Sequence, residues 1–162
     1  MIKSSPEQIK RITSILTKCL RLPFYDENVP GALLEYVFAQ VRAAKVLNTY
    51  DFVDVIDKKN KIGWQVKSTK NTTPVTWKRA KIPNSDMLIN ASFKSDKGLQ
   101  NLGDAIIDFC NSHAVESMKK YDLDYIGYVR LILFKNKVLY FERKLCDKKN
   151  PVVFDKSKYV WH

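Results

Sequence analysis

The chain has 162 residues, with 28 Lys and Arg against 17 Asp and Glu, and therefore a formal net charge of +11. This length suits a single domain, and a hydrophobic content of 45% excludes a chain that is disordered throughout. No stretch approaches the roughly 18 consecutive apolar residues of a membrane span, and the N-terminal residues have no apolar run of signal-peptide type. We therefore expect a cytoplasmic protein that has no membrane partner.

The few cysteines and histidines narrow the chemistry. Cys19, Cys110 and Cys146 lie far apart without a CxxC pair, which argues against a disulfide framework, and two histidines are too few for a typical zinc site. The strong positive charge points to a polyanionic partner, either nucleic acid or an acidic membrane surface. The main basic segment has no amphipathic helical pattern, which disfavours the membrane.

Hydrophobic spacing predicts two helices in the first third of the chain. The first starts at Ser5-Pro6, a capping residue followed by proline at the first helical position, and ends before Pro23. Residues 1–28 are interpreted as a helix appended to the core, with its apolar stripe either forming a dimer interface or packing on its own domain. The second helix is predicted from Ala32 to about Leu47 and is apolar on most sides, which is typical of a buried helix. Glu35 lies in its first turn.

A β-hairpin follows the second helix. Phe52–Ile56 and Ile62–Ser68 are rich in β-branched and aromatic residues, and Asp57–Lys61 between them is a turn sequence. If Asp57 lies opposite Ile62, a register that we adopt, Asp54 lies opposite Gln65 and Phe52 lies opposite Lys67. Because cross-strand partners share a face of the sheet, Asp54, Gln65 and Lys67 would then form one polar cluster. Val53 would then face Val66 and Val55 would face Trp64, whereas a slip by one residue would scatter the polar group.

The remaining elements complete a mixed α/β domain. The pattern predicts a short helix or strand over Met87–Phe93, a helix over Asp104–Lys120, a central strand over Tyr125–Phe134, a partner strand over Val138–Arg143, and possible edge strands over Val152–Phe154 and Tyr159–Trp161. The whole of 1–162 is therefore predicted to be one domain, with a mixed central sheet flanked by helices.

The positive charge is concentrated in one segment. Residues 58–85 hold eight Lys and Arg and no Asp or Glu, and the positive charges are interleaved with hydrogen-bonding side chains and with Trp77. Cations of this kind release counterions from a phosphate backbone, while hydroxyl and amide groups fix the register. The predicted DNA-binding residues in the loop after the second hairpin strand are Lys70, Asn71, Thr73, Thr76, Trp77, Lys78, Arg79 and Lys81. Arg79 is the best candidate for reading guanine, because its fork can bond O6 and N7 together.

The hairpin resembles the PD-(D/E)XK nuclease superfamily, in which an Asp on one strand is followed, after a short turn, by a strand that carries (D/E)-x-K. Here Asp54 is followed by Gln65-Val66-Lys67, and a buried helix bearing Glu35 precedes it. Gln65 replaces the usual acidic residue, a variant that resembles some type II restriction endonucleases. Few residues separate the helix from Asp54, so the strand there is short or the helix ends early. Asp51 is a competing candidate for the acidic position.

The resemblance implies a restriction-endonuclease-like αβββαβ core and Mg²⁺-dependent hydrolysis of phosphodiester bonds, with Mn²⁺ expected to substitute and no small-molecule cofactor. A hard cation of this kind is bound by oxygen ligands, for which Asp54, the amide oxygen of Gln65 and the carbonyl of Val66 are candidates. Lys67 would stabilise the transition state, and Glu35 would assist through a water or a second metal. Because Gln65 is neutral, we expect weaker metal affinity or a larger part for Glu35.

We therefore predict a sequence-specific endonuclease of double-stranded DNA, acting as a homodimer on a palindromic site; a restriction–modification role is implied by the resemblance alone. Two alternatives use the same residues. A structure-selective nuclease resembling a Holliday junction resolvase would cut branched DNA without regard to sequence. A DNA-binding module with a degenerate, inactive site would bind without cutting.

Overall fold

The computed structural model of the chain describes residues 3–22, 30–71, 73–75 and 82–162. Over these ranges the chain forms four α-helices, five β-strands and one short 3₁₀ turn. The helices are α1 (Pro6–Leu20), α2 (Gly31–Arg42), α3 (Ser85–Ser92) and α4 (Asp96–Lys120). The strands are β1 (Lys45–Val46), β2 (Val55–Asp57), β3 (Ile62–Lys70), β4 (Tyr125–Phe134) and β5 (Lys137–Asp147), and the 3₁₀ turn spans Lys156–Lys158.

The strands form one mixed sheet in the order β1-β2-β3-β4-β5. The pair β3–β4 is parallel, and the other three pairs are antiparallel. The predicted α/β class, with a mixed central sheet flanked by helices, is confirmed. None of the helices in the described ranges is long and apolar enough to cross a membrane.

Helices pack on both faces of the sheet and create two cores. On one face, α1 and α2 cover Trp64, which makes an edge contact with Phe38 at a ring-centroid distance of 5.4 Å. On the other face, α4 contributes Cys110, Ala114 and Met118 to a second core. Strand β4 lies between β3 and β5 and contributes to both cores, which confirms its prediction as a central strand.

Helix α1 begins as predicted and packs on its own domain. The Ser5 side chain accepts a hydrogen bond from the Gln8 backbone N–H, and the Gln8 side chain accepts one from Ser5, so the capping box is complete. Ile12 and Leu16 of the apolar stripe are fully buried in the core beneath α2. The stripe is therefore occupied within the subunit.

Helix α2 is shorter than predicted, because it ends at Arg42 with Ala43 in the left-handed conformation. The chain then forms the two-residue strand β1 instead of continuing the helix to Leu47. The small number of residues between the predicted helix end and Asp54 is thus accommodated in both anticipated ways, by an early helix end and by a short strand.

The hairpin β2–β3 has the predicted register over its paired residues, with Asp57 opposite Ile62 and Val55 opposite Trp64. The pairing stops there, one residue before Asp54 could pair with Gln65. Phe52 leaves the sheet and donates its N–H to Ser117 Oγ at 2.9 Å, so the predicted pairing of Phe52 with Lys67 is wrong.

Val53 also departs from the predicted register. It lies in the core beneath α4, whereas Val66 and Val55 lie in the core beneath α2, so the predicted pairing of Val53 with Val66 is wrong as well. Strand β2 therefore spans only three residues, and the chain turns away from the sheet immediately before it.

The C-terminal half differs from the prediction at its ends. Residues 85–92 form the helix α3, which is one of the two predicted options, but α4 begins at Asp96, eight residues before the predicted start, with Ser95 as its cap. The predicted edge strands near Val152 and Tyr159 are wrong. That tail is instead fastened to α4 by side chains, for example by Asn111, which bonds the Val153 and Phe154 N–H groups and the Phe154 carbonyl.

We expect Gly127→Ala to destabilise the fold, because a Cβ at Gly127 would lie 2.6 Å from Cδ1 of the buried Trp64 ring. The cost of such overpacking is about 1–3 kcal/mol in the free energy of unfolding. Urea denaturation followed by circular dichroism measures it. The matched control is Gly31→Ala, where no atom lies within 4 Å of the added Cβ and stability should change by less than about 1 kcal/mol. Equal effects of the two substitutions would contradict this account of Trp64 packing.

Candidate functional site

The candidate site lies where β2 separates from β3. Asp54 precedes β2, and its backbone N–H donates to the Trp64 carbonyl at 2.8 Å. Its carboxylate oxygen Oδ2 accepts the backbone N–H of Val66 at 2.8 Å. Since Val66 has no strand residue opposite it, the carboxylate takes the place of a missing main-chain acceptor. This bond fixes the Asp54 side chain at the edge of β3.

Lys67 lies beside Asp54. Its ammonium Nζ is 3.7 Å from Asp54 Oδ2, and the two side chains are 24% and 21% exposed, respectively. The pair is therefore partly desolvated and yet reachable from solvent, which strengthens its electrostatic interaction relative to a fully exposed pair. The predicted proximity of this acid and this ammonium is confirmed, although the two residues are not brought together by the predicted strand pairing.

Glu35 on α2 faces the same two charges. Partial burial raises the pKa of its carboxyl, the negative charge of Asp54 raises it further, and the positive charge of Lys67 offsets part of the increase, so that the pKa lies at about 7. Glu35 therefore changes protonation state near neutral pH. A carboxyl group poised in this range beside a second carboxylate and an ammonium is typical of acid–base sites.

Gln65 is nearly inaccessible, with 2% of the residue exposed. Its side-chain oxygen Oε1 has no hydrogen-bond partner among the described residues. Because side chains alternate along a strand, Gln65 points to the same face of the sheet as Lys67. A buried acceptor without a partner costs free energy, so an oxygen left in this state calls for an explanation.

The donor atoms at this point suit a hard cation. No three His, Cys, Asp or Glu side chains cluster as a metal site in the described ranges. The available oxygens are of a mixed kind: the Asp54 carboxylate, the orphaned Gln65 Oε1 and the Val66 carbonyl, which points to the same strand edge as the Val66 N–H. Such a set of few carboxylates with neutral oxygens is compatible with Mg²⁺, which keeps several of its waters.

Asp51, the competing candidate, is engaged elsewhere. Burial alone would raise its pKa, but hydrogen bonds from Thr49, Tyr121 and Lys120 outweigh that effect and lower it to about 2. These bonds tie the loop before Asp54 to the end of α4. The structure thus places Asp54 beside Lys67 and gives Asp51 an anchoring position.

Most of the predicted DNA-binding loop, namely Thr76, Trp77, Lys78, Arg79 and Lys81, lies outside the described residues. Its first part is described. Lys70 is exposed at the end of β3, and Asn71 has a left-handed backbone and donates its N–H to the Leu133 carbonyl at 2.9 Å. The Thr73 hydroxyl donates to the Lys70 carbonyl at 2.7 Å, which closes a turn.

The sequence reasoning missed a groove beside this site. A cavity of about 440 Å³ lies against β4 and β5 and is lined by Val75, Tyr128, Arg130, Ile132, Phe141 and Arg143. Five of these residues alternate on one face of the strands: Tyr128, Arg130 and Ile132 on β4, and Phe141 and Arg143 on β5. That alternation of aromatic and basic residues was the available signal. It was obscured because β4 was interpreted as apolar on both faces.

Comparison with known proteins found no match for this chain among protein-family models, curated proteins or solved structures.

We expect Glu35→Gln to stabilise the metal-free protein at pH 8 and to have little effect at pH 4.5. Since the pKa of Glu35 lies near 7 in the folded chain and near its ordinary value of 4.5 in the unfolded chain, ionisation destabilises the fold progressively between these two values. Below pH 4.5 the group is neutral in both states, and above pH 7 the full penalty applies. The gain should be roughly 1–2 kcal/mol after allowance for solvent screening, measured by urea denaturation in EDTA.

Asp51→Asn is the control of opposite sign. The pKa of Asp51 is lowered in the folded chain, so its contribution to stability is present at neutral pH and is lost as the pH falls from about 4 towards 2. At pH 8 this variant should be less stable than the parent protein. If Glu35→Gln shifted stability by the same amount at pH 4.5 and pH 8, the charge environment assigned to Glu35 would be incorrect.

Proposed function

We propose that the protein is a Mg²⁺-dependent endonuclease that hydrolyses phosphodiester bonds in double-stranded DNA. The observation that supports this proposal best is the meeting of Asp54, Lys67 and Glu35 where β2 separates from β3, with the unpartnered Oε1 of Gln65 nearby on the same strand. A structural ion pair between Asp54 and Lys67 would explain neither the buried, unpartnered oxygen of Gln65 nor the Glu35 carboxyl, whose pKa lies at about 7.

The metal would be held by Asp54, Gln65 Oε1 and the Val66 carbonyl. When bound there, a divalent ion would supply charge neutralisation for the phosphate and a lowered pKa for a coordinated water. The hydrogen bond from the Val66 N–H fixes the orientation of the Asp54 carboxylate, so one of its oxygens is already positioned before any ion binds. Gln65 would supply the ligand that an acidic residue supplies in the family that the hairpin resembles.

Lys67 and Glu35 would act on the reacting groups. The Lys67 ammonium, which shares Asp54 with the proposed ion, can stabilise negative charge on a phosphate oxygen. Glu35 can accept a proton from an attacking water, since the pKa of its carboxyl lies near 7. The two side chains belong to different elements, β3 and α2, and both lie close enough to Asp54 to interact with its charge.

The order of elements is consistent with this proposal. The chain runs through α2, β1, β2, β3, α4 and β4, with α3 inserted before α4. Helix α2 carries the acidic residue, β1 to β3 are antiparallel, α4 is the long helix, and β4 is parallel to β3. The same succession characterises the αβββαβ core of restriction-endonuclease-like enzymes that the sequence resembles. Sequence-specific cleavage by a cytoplasmic homodimer is part of the proposal.

A DNA-binding module without activity is the second candidate, and the burial of Gln65 favours it. A side chain that is 2% exposed and neutral makes a poorer metal ligand than a partly exposed carboxylate. This candidate predicts salt-sensitive DNA binding without cleavage at any Mg²⁺ or Mn²⁺ concentration. Cleavage is therefore the measurement that separates the two.

We expect the purified full-length protein to cleave supercoiled plasmid in Mg²⁺ and not in EDTA. Lys67→Ala should reduce the rate roughly 10²–10³-fold, as the loss of one charge-stabilising group does in other sites. The matched control is Lys61→Ala in the turn before β3, because Lys61 is also paired with an aspartate, Asp122, but lies away from Asp54. Discrete bands would indicate sequence specificity, and cutting confined to branched DNA would indicate a structure-selective enzyme.

Absence of cleavage by the parent protein in both Mg²⁺ and Mn²⁺, with DNA binding retained, would refute the enzymatic proposal. Equal losses of cleavage rate in Lys67→Ala and Lys61→Ala would refute the role given to Lys67. Each substitution removes one positive charge, so the loss would then be due to net charge and not to the position of Lys67.

Gln65 provides a second test of the metal site. We expect Gln65→Met to leave the metal-free protein as stable as the parent, within about 1 kcal/mol, because it removes a buried oxygen that has no partner. The same variant should lose the rise in melting temperature that Mg²⁺ causes in the parent protein. Differential scanning fluorimetry with and without Mg²⁺ measures both effects.

Gln65→Glu is the companion variant. A buried carboxylate should lower the stability of the metal-free protein and increase the stabilisation by Mg²⁺, because the ion would offset its desolvation. An unchanged response to Mg²⁺ in both variants would show that Gln65 is not a ligand.

A further inference from the structure

The groove on β4 and β5 is continuous with the candidate site through the strand register. The parallel pairing of β3 with β4 and the antiparallel pairing of β4 with β5 create two rows across one face of the sheet. One row is Gln65, Tyr128 and Arg143, and the other is Lys67, Arg130 and Phe141. Since neighbouring strands lie roughly 5 Å apart, the groove begins within about 10 Å of Lys67.

Two guanidinium groups supply the charge of the groove. Arg130 is held in place, because its Nε and Nη2 donate to Thr69 Oγ1 at 3.2 and 3.1 Å and Nη2 also donates to the Thr73 carbonyl at 2.6 Å. Arg143 is exposed, and its Cζ lies 5.6 Å from the centre of the Tyr128 ring. The first cation is therefore fixed and the second one is accessible on an aromatic surface.

The aromatic part of the groove presents one ring to solvent. Phe141 is 48% exposed, while its ring packs edge-on against Tyr128 at a centroid distance of 6.4 Å. A half-exposed aromatic ring beside two cations offers a π surface on which a flat, negatively charged ligand can stack. The cavity volume of about 440 Å³ is within the roughly 300–1,000 Å³ of ligand sites.

We infer that this groove binds an unpaired nucleotide of the DNA substrate, with its base against Phe141 and its phosphates at Arg130 and Arg143. A nucleotide is the ligand class that combines an anion with a flat π surface, which is the combination the groove offers. Fully paired DNA would offer phosphates to the arginines but would leave Phe141 uncovered, because its bases stay stacked in the helix. The inference rests on the proposed function in one respect: it takes the bound nucleotide to be part of the DNA that is cut beside Asp54 and Lys67.

Binding without metal tests the groove separately from cleavage. Fluorescence anisotropy in EDTA compares three ligands of matched length: a fully paired duplex, the same duplex with one extrahelical thymidine, and single-stranded oligothymidine. We expect the parent protein to bind the second and third more tightly than the first. Free thymidine monophosphate is the fourth ligand, and we expect it to bind far more weakly, because it cannot contact Lys67 and the groove together.

The variants remove one feature each. Phe141→Leu keeps the apolar area and removes the π surface, and it should weaken binding of the extrahelical thymidine roughly 5- to 100-fold without affecting the paired duplex to that extent. Arg143→Lys keeps the positive charge and removes the planar guanidinium group. The controls are Phe93→Leu, at the exposed residue that directly follows α3, and Lys144→Ala, next to Arg143 on the other face of β5.

Equal affinity of the parent protein for paired and extrahelical DNA would overturn the inference. So would a preference that survives in Phe141→Leu, or tight binding of free thymidine monophosphate. A preference that disappears in Phe141→Leu while plasmid remains uncut in Mg²⁺ would support the groove and refute the endonuclease. Plasmid cleavage together with no preference for extrahelical DNA would refute the groove and leave the endonuclease standing.

Discussion

The candidate site depends on a hydrogen bond in which a side chain replaces a backbone acceptor. Strand β2 is only three residues long, and Val66 on β3 would have an unsatisfied N–H without the Asp54 carboxylate. A buried donor of this kind costs about 1–3 kcal/mol when left unpaired, so a movement of the carboxylate away from the Val66 N–H would destabilise the sheet by a similar amount. The fold therefore orients Asp54 before any ligand arrives, and Lys67 and Glu35 are placed around a group that cannot easily turn away.

The charge balance at this point is unusual for a purely structural site. Two carboxyl groups and one ammonium share a partly buried space, and the pKa of Glu35 is raised first by burial and then by repulsion from the Asp54 charge. An additional cation would relieve this repulsion and would also satisfy the lone oxygen of Gln65. Glu35 supplies a second carboxyl group near Asp54, whereas Gln65 is neutral.

The sequence predicted those features that local pattern determines. The capping box at Ser5, the turn at Asp57 and the hairpin register over Val55–Asp57 follow from residue types a few positions apart, and all three are present. The early end of α2 at Arg42 was harder to locate, because apolar residues continue past it into β1 and a non-glycine residue, Ala43, adopts the left-handed conformation. The start of α4 was placed too late because glycines at 98 and 103 interrupt the helical pattern.

Tertiary structure explains both glycines. A Cβ at Gly98 would meet the Ala91 carbonyl, and one at Gly103 would meet the Trp161 ring, so each glycine lets another segment approach α4 closely and does not end the helix.

The groove at Phe141 and Arg143 also could not be predicted from local pattern, since its aromatic and basic residues come together only when β5 pairs with β4. Pairing across the sheet, and not spacing along the chain, assembles that surface.

The parallel pairing of β3 with β4 has a consequence for how the molecule is made. All of residues 71–124 separates these two adjacent strands along the chain, and the antiparallel β4–β5 hairpin can form locally before β3 is joined to it. Closing so large a loop is entropically costly and slows folding relative to a chain of local contacts. Strand β3, which carries Gln65 and Lys67, therefore gains its parallel neighbour only after the chain as far as β4 has been synthesised.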